Sequence, residues 1–393
     1  MPESQFDVAI IGAGPAGTYA AYTAAKAGLK TVVFEEHPNI GEPVHCGECL
    51  SELATKRLGL DLPEDVISLR VKGIRLVFPD KSSSYIEEEG FDLEKEKFEQ
   101  YLAALGADAG AAYKLRHRVT GLTREVGNWK IHTLGGEYRA RIIIDASGVS
   151  GVSSKLLNLN PEPKKVVGLQ YELSPMESDG FIDFFLWPTL APHGYLWIIP
   201  KKNGRANVGL VTNEAANTRK YLDQFISEYN LSEKKKVGKI AFGGFIPASG
   251  PVPNTYDDGL MLVGDAAGFT SPMFEGGTSL AMTSGKFAAQ VAAKALGEGD
   301  ASKQALSKYE KLWRAEFPDY HKLVGGKDKI YGFSDDELNK ISSLIPRNLT
   351  CLSALDRAKV GANVLLKAPG LYSKGFISAM TALGYSRAKY YGW

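Results

Sequence analysis

Phe6 to Ile11 is a short apolar run, Pro15 to Gly28 is rich in alanine at helical spacing, and Lys30 to Glu35 is a second apolar run that closes on an acid. Short apolar runs bounded by glycine mark buried strands, and the stretch between them marks a helix, so the chain is expected to open with one βαβ unit. Val71 to Ile86 and Tyr113 to Ala140 alternate polar and apolar positions between Gly-containing turns. That alternation predicts antiparallel strands, with a helix over Asp92 to Ala109 between them. Ile142 to Asp145 follows as a buried strand. From about Val166 to Phe245 the period is two, as in Phe181 to Trp187 and Asn207 to Val211, which predicts a separate antiparallel sheet. Leu260 to Val263 returns to a short apolar strand, Thr278 to Leu296 is helical, and the remainder to Trp393 is mostly helical. Neither an internal repeat nor a low-complexity segment interrupts the pattern.

With 44% hydrophobic and 23% charged residues over 393 positions, the composition is that of a globular protein with room for two large lobes. Basic and acidic side chains balance to a net charge of +1, so no overall field draws the molecule to nucleic acid, and none is expected as a partner. Three cysteines, two of them three positions apart, cannot build a secreted disulfide framework. The opening residues lack a basic region followed by a long apolar run, which points to a cytoplasmic location. No stretch approaches the ~18 to 20 consecutive apolar residues of a spanning helix, so any membrane contact is expected at the surface, on the inner face.

Gly12, Gly14 and Gly17, with Pro15 and Ala16 among them, sit between the first strand and its helix. The first glycine permits the tight turn, the second lets backbone approach a pyrophosphate, and the third allows close helix packing, while the helix N-terminus faces the phosphates. Glu35, followed by Glu36, ends the second strand 23 positions after Gly12, where an acid accepts hydrogen bonds from ribose hydroxyls and disfavours a 2′-phosphate. This unit alone does not separate NAD from FAD. Gly264 and Asp265 place a carboxylate just after a buried strand, suited to ribityl hydroxyls, although a turn or helix-cap aspartate would look the same. Pro272 and the pair Gly276 and Gly277 then open a helix whose amides are expected to face a flavin pyrimidine, where negative charge collects on reduction. Together the segments predict FAD.

These residues carry a resemblance. The chain resembles the flavoproteins of the para-hydroxybenzoate hydroxylase-like fold and, within them, the geranylgeranyl reductase family. The resemblance runs over most of the chain to about residue 300. It rests on the Gly12 to Gly17 loop, Glu35, the segment Pro43 to Ser51 with Cys46, Gly47 and Glu48, Asp145 to Gly148, Pro192 to Pro200 with Tyr195 and Trp197, and Gly264 to Ala267. It implies a Rossmann-type FAD-binding domain (residues 1–70, 92–165 and 247–300), an antiparallel-sheet substrate domain (71–91 and 166–246) and a helical C-terminal region (301–393). It further implies that Cys46, Gly47, Lys95, Asp145 and Gly148 belong to the flavin site, and that the Cys-Gly-Glu segment and the Tyr195 to Pro200 strand line the space before the isoalloxazine ring. The chain departs from the family pattern at His45 and Lys95, where arginine is usual, at Cys49, where glycine is usual, and at Ile199, where phenylalanine is usual. Lys95 keeps the charge without the bidentate geometry of a guanidinium.

The activity so implied is saturation of geranylgeranyl double bonds in archaeal-type ether lipids. Such a reaction needs hydride from reduced flavin, a proton for the other carbon, and an apolar channel that holds water away. Phe181, Phe184, Phe185, Trp187, Tyr195 and Trp197 are candidates for the channel wall, against a plain aromatic core. Tyr195 and Trp197 share a strand face. For His45, Cys46, Glu48 and Cys49 the open readings are substrate contact by Cys46, a redox pair of Cys46 and Cys49, and a metal site. The last is short of ligands, and no metal is expected. Glu48 reads equally as a buried acid for proton transfer and as a solvated loop acid. The alternatives to a reductase are a flavin monooxygenase or halogenase of the same fold and a non-catalytic flavin or lipid carrier. Only one dinucleotide unit is present, so the electron donor is expected to be external: reduced ferredoxin, another flavoprotein or NAD(P)H. From Ala354 to Trp393, six basic residues stand against Asp356 alone, interleaved with leucines and aromatics. That tail reads equally as a surface for anionic membrane and as a docked helix.

Overall fold

The computed structural model describes residues 5–393, with side chains outside 238–242. The opening Met1 to Ser4, part of the stretch without a targeting signal, lies outside the described residues. Two eight-stranded sheets organise the molecule. In the first, Tyr256–Asp257, Leu260–Leu262, Gly136–Asp145, Gln5–Ile11, Thr31–Phe34 and Ala112–Lys114 lie side by side, and Asn128–Thr133 and Val119–Glu125 extend it from Gly136–Asp145. Its centre is parallel, with Ile10 opposite Val33 on one side and Ile144 on the other. Helices cover both faces, which is why these strands read as continuous apolar runs rather than alternating ones. The helix Pro15–Lys26 crosses the helix Thr278–Gly297 closely, because Gly285 brings no side chain to the Ala16 carbonyl.

The second sheet runs Lys235–Pro247, Lys165–Ser174, Arg205–Thr212, Tyr195–Lys201, Phe181–Phe185, Ile67–Val77, Ser83–Leu93 and Cys49–Ser51. Its pairs are antiparallel except for Phe181–Phe185 against Ile67–Val77. Alternation sets its two faces. Tyr195, Trp197 and Ile199 pack with the C-terminal helices, whereas Leu196 and Ile198 pack on the helix Thr218–Glu228 through Leu222 and Phe225.

Three local expectations shift. The helix predicted from Asp92 begins instead at Lys95, with Glu94 at the N-cap position but without a side-chain cap, because Asp92 is paired in strand Ser83–Leu93 with Cys49 and Leu69. Ala112–Lys114 is parallel to Thr31–Phe34, and Gly136–Asp145 is one continuous strand. The helical tail folds back onto the body. Trp393 is buried against Gly90 and donates its indole N–H to Glu88 at 3.2 Å, while Arg387 pairs with the other Glu88 oxygen at 2.6 Å. Of the apolar tail residues, Val364, Leu371, Phe376, Tyr391 and Trp393 are buried, and Leu365, Leu366, Tyr372 and Ile377 stay exposed. Among the described residues, no helix is long and apolar enough to cross a membrane.

Candidate active site

A cleft of about 670 Å³ runs from the first sheet to the aromatic face of the second. At its first end the backbone makes the cradle. Gly12 has φ +99°, and a side chain there would meet the Ala146 carbonyl, while one at Gly17 would run into the Gly12 carbonyl. Gly14, the residue before the helix, faces open space, so nothing stands between that helix start and a ligand phosphate. Glu35 accepts from the Ala13 amide at 2.8 Å and from the His37 amide and ring at 2.9 and 2.7 Å, which fixes its carboxylate at the cleft wall. Glu36 lines the same end and pairs with Arg118 at 3.4 Å.

Farther along, Asp265 and Gly277 line the cleft, and Thr270 donates to Asp265 at 2.7 Å. Burial raises the Asp265 pKa, against Thr270 and the Lys95 charge. Three expected contacts lie behind the wall. Asp145 is fully buried, with its oxygens committed to the amides of Ser147 (3.0 Å) and Ser153 (2.7 Å) and to the Ser153 hydroxyl, so it shapes the turn that presents Gly148. Pro272 likewise does not reach the cleft, and Gly17 acts only by its lack of a side chain. Gly12, Gly14, Pro15, Ala16, Glu35, Glu36, Cys46, Gly47, Lys95, Gly148, Gly264, Asp265, Gly276 and Gly277 do line it. An open helix start, an acid at the second strand and a glycine turn at the third segment fit FAD.

The middle of the cleft is built by the Cys46 loop. Glu48 is buried in left-handed backbone (φ +77°), its Oε2 accepting from Lys201 at 2.6 Å and Asn207 at 2.5 Å, and its Oε1 from the Lys95 amide at 3.1 Å. The Glu48 amide in turn donates to Cys46 Sγ at 3.2 Å. Gln170 joins this loop to the strand motif, donating to the Cys46 carbonyl at 2.8 Å and accepting from the Trp197 indole at 2.9 Å. His45 is held to the Gly243 carbonyl at 2.8 Å at the cleft mouth. All three cysteines are free thiols. Burial raises the Cys46 pKa, with Lys95 opposing, and raises Cys49 further, where Asp92 adds to burial. Lys95, buried and paired with Glu99 at 2.7 Å, stays charged because Glu99 and its neighbours outweigh its desolvation.

The far end is aromatic. Phe184, Tyr195 and Trp197 line it, with Phe274 stacked on Phe184 at 4.8 Å, whereas Phe181, Phe185, Trp187 and His193 lie outside it. Sequence reading missed the charged residues in and behind this wall. Glu275, in the turn before Gly276, pairs with Lys327, and Lys201 immediately follows the strand motif. A charged residue set between Phe274 and the pair Gly276 and Gly277 was the available signal for Glu275. Asp92 is wholly buried with neither oxygen hydrogen-bonded among the described residues. No group of three or more His, Cys, Asp and Glu among them suits a metal ion.

Residues 7–154 match the family model of FAD dependent oxidoreductases, and with the cradle they define an FAD-dependent oxidoreductase. Residues 165–245, which carry the aromatic strand, match the model of the geranylgeranyl reductase catalytic domain. The chain belongs to the geranylgeranyl reductase family. It is 33% identical to the digeranylgeranylglycerophospholipid reductase of Methanocaldococcus jannaschii over 93% of this chain and 96% of that one. To the protein of the same name from Thermoplasma volcanium it is 35% identical over 88% and 93%. A crystal structure of a geranylgeranyl bacteriochlorophyll reductase-like protein from Thermoplasma acidophilum superposes with a TM-score of 0.85 at 31% identity, covering 95% of this chain and 99% of that one. A flavin-dependent brominase, at 18% identity and a TM-score of 0.71 over 98% and 100% of the two chains, shares the fold.

Two outcomes follow from this geometry. Gly17→Ala should cost on the order of 3 kcal/mol, because the added methyl has only backbone to displace. Gly14→Ala should leave the melting temperature of the FAD-free protein near wild type yet weaken FAD binding about tenfold or more, since its methyl enters the space left for phosphate. Thermal melts and FAD titration separate the two. Asp92 should also make stability pH-dependent. Burial lifts its pKa well above 3.8 despite Lys201, while Glu48 and Glu94 push the same way. The folded state therefore holds a proton that the unfolded state has released, and stability falls as pH rises above about 3.8 toward the folded value. Asp92→Asn should remove that loss, so its melting temperature should exceed wild type at pH 8 and converge with it toward pH 4.

Proposed function

We propose that this protein saturates C=C bonds of geranylgeranyl chains in isoprenoid ether lipids. The observation that carries the proposal is the continuity of the cleft: its FAD cradle opens without a break onto a wall of Phe184, Tyr195, Trp197 and Phe274. Reduced FAD supplies the hydride. The protein's part is to seat an apolar chain against those rings, exclude water, and hold a proton donor at the opposite face of the double bond. Cys46 contacts the substrate, and its half-buried thiol, whose pKa is raised by desolvation, stays protonated. Tyr195 and Trp197 orient the chain, His45 holds the mouth, and Glu48 positions the Cys46 loop. Electrons come from a transiently bound donor of the ferredoxin, flavoprotein or NAD(P)H class. The division into an FAD-binding domain, a sheet substrate domain and a helical region fits this partition of roles.

The lipid reaches the cleft from an anionic membrane surface. The helix Ala354–Lys367 exposes Leu355, Leu365 and Leu366, Leu366 to 82%, beside Arg357, Lys359 and Lys367. Exposed leucines flanked by cations are the composition of an interfacial face. Leu365→Ser with Leu366→Ser should lower co-sedimentation with anionic liposomes without changing the melting temperature. Equal binding by both forms removes the membrane role.

Anaerobic single-turnover reoxidation of chemically reduced enzyme by a geranylgeranyl ether lipid tests the activity. Cys46→Ala should slow it about 10²-fold, the worth of a lost substrate-positioning contact at the reacting centre, and Cys49→Ala should slow it far less. Turnover that requires oxygen would mark a monooxygenase or halogenase instead.

A further inference from the structure

Two glutamates in the cleft wall, Glu48 and Glu275, occupy the left-handed backbone that residues with side chains rarely take, at φ +77° and +47°. Such conformations persist only where the surroundings enforce them, and they gather at functional sites. The two carboxylates are treated differently. Glu48 has three donors on its two oxygens and braces the Cys46 loop. Glu275 has one, the Lys327 ammonium at 2.8 Å on Oε1, and no donor among the described residues reaches Oε2. Both side chains are closed to solvent, at 2% and 9% exposure. Tyr195 adjoins the carboxylate, yet its one hydroxyl hydrogen goes to the Phe274 carbonyl at 2.8 Å.

A buried carboxylate oxygen without a donor is costly as an anion, and a carboxylic acid removes the cost by carrying its own hydrogen. Burial raises the Glu275 pKa against the pull of Lys327 and of the adjoining Tyr195 hydroxyl, whose hydrogen is aimed at the Phe274 carbonyl. Its position is equally specific. Glu275 directly precedes Gly276 and Gly277, which face the FAD end of the cleft, and follows Phe274 of the aromatic wall. It therefore stands where the cofactor end and the apolar end meet.

We infer that Glu275 is the acid that protonates the substrate carbon during double-bond reduction, with Lys327 as its positioning residue. The inference rests on the reductase reading above. One double bond takes a hydride at one carbon and a proton at the other. The reduced cofactor would give up the hydride from one of its own bonds to hydrogen and be oxidised by two electrons, while the π bond and the Glu275 O–H bond break and two C–H bonds form. The carboxylate left behind is held by Lys327 until water returns its proton. Glu48 does not take this part, since Lys201, Asn207 and the Lys95 amide already occupy both of its oxygens.

The test uses the FAD-loaded protein, reduced anaerobically with dithionite and mixed with a geranylgeranyl ether lipid. Glu275→Gln should bind FAD and melt as wild type does but slow single-turnover reoxidation about 10²-fold or more, and Glu275→Asp should restore part of the rate. Independently of turnover, infrared spectra of the wild type should show a protonated carboxyl C=O band that shifts on H/D exchange, moves in Glu275→Asp and is absent in Glu275→Gln. If the wild type turns over and Glu275→Gln matches it within about twofold, the inference falls while the reductase reading stands. If the wild type itself is not reoxidised by the lipid, the reductase reading falls. Should Glu275→Gln lose FAD, the infrared comparison of wild type and Glu275→Asp decides, and absence of a Glu275-dependent carboxyl band overturns the inference.

Discussion

For the cofactor cradle and the aromatic strand to share one cleft, a loop that leaves the first sheet must be fastened to the second, and the fastening is the ion pair of Glu48 and Lys201. Both side chains are almost fully buried, at 5% and 2% exposure, and their atoms meet at 2.6 Å. An isolated charge in that position would be untenable, so the pair exists only if both partners arrive together, and removing one would cost about 3 to 5 kcal/mol. Asn207 from the neighbouring strand and the Lys95 amide complete the shell around Glu48. The left-handed backbone of Glu48 is the strain this arrangement absorbs.

Much of the site inherits its geometry from that joint. The Glu48 amide aims at Cys46 Sγ, Cys49 leads at once into the edge strand of the second sheet, and Gln170 ties the Cys46 carbonyl to the Trp197 indole. The cysteine loop is thus part of the sheet rather than a mobile cover. Its electrostatics point to thiols and not thiolates. Burial pushes the Cys46 pKa up, and of the groups that favour its ionisation, Lys95 and the Glu48 amide, Lys95 is already engaged with Glu99. Cys46 accordingly faces the cleft as an S–H group.

What the sequence disclosed divides along a physical line. Backbone constraints were legible: Gly12 and Gly17 are glycine because a side chain would strike carbonyl oxygens, and such positions leave a spacing signature in the chain. Alternation likewise put Tyr195 and Trp197 on one face. Polar side chains were harder. Asp145 ends a strand beside the cleft, yet whether its carboxylate turns outward or back to Ser153 depends on a residue eight positions on. Asp92 reads as a helix start because acids favour that position, but the strand pairing with Cys49 outweighs so small a preference. The partners Lys201, Asn207 and Lys327 come from elements 50 to 160 residues away from the acids they hold, at separations of 153, 159 and 52. No local pattern encodes such pairings.

The distribution of these buried charges also explains how one cleft serves two unlike ligands. Along the FAD end the wall is backbone amide and glycine, which suits phosphate and ribityl groups and needs no bulky side chain. Along the far end it is stacked rings, which suit an apolar chain. The acids do not lie at random between them. Glu48 sits on the loop side with every oxygen occupied, and Glu275 sits on the turn side with one oxygen spare. Because Glu275 shares a turn with Gly276 and Gly277, any shift of the cofactor-facing backbone moves the carboxyl with it, and its pairing with Lys327 anchors that turn to the helix Tyr320–Ile330. The helical region therefore contributes more than cover for the second sheet: it supplies the cation that fixes an acid at the boundary between the cofactor and the apolar chain.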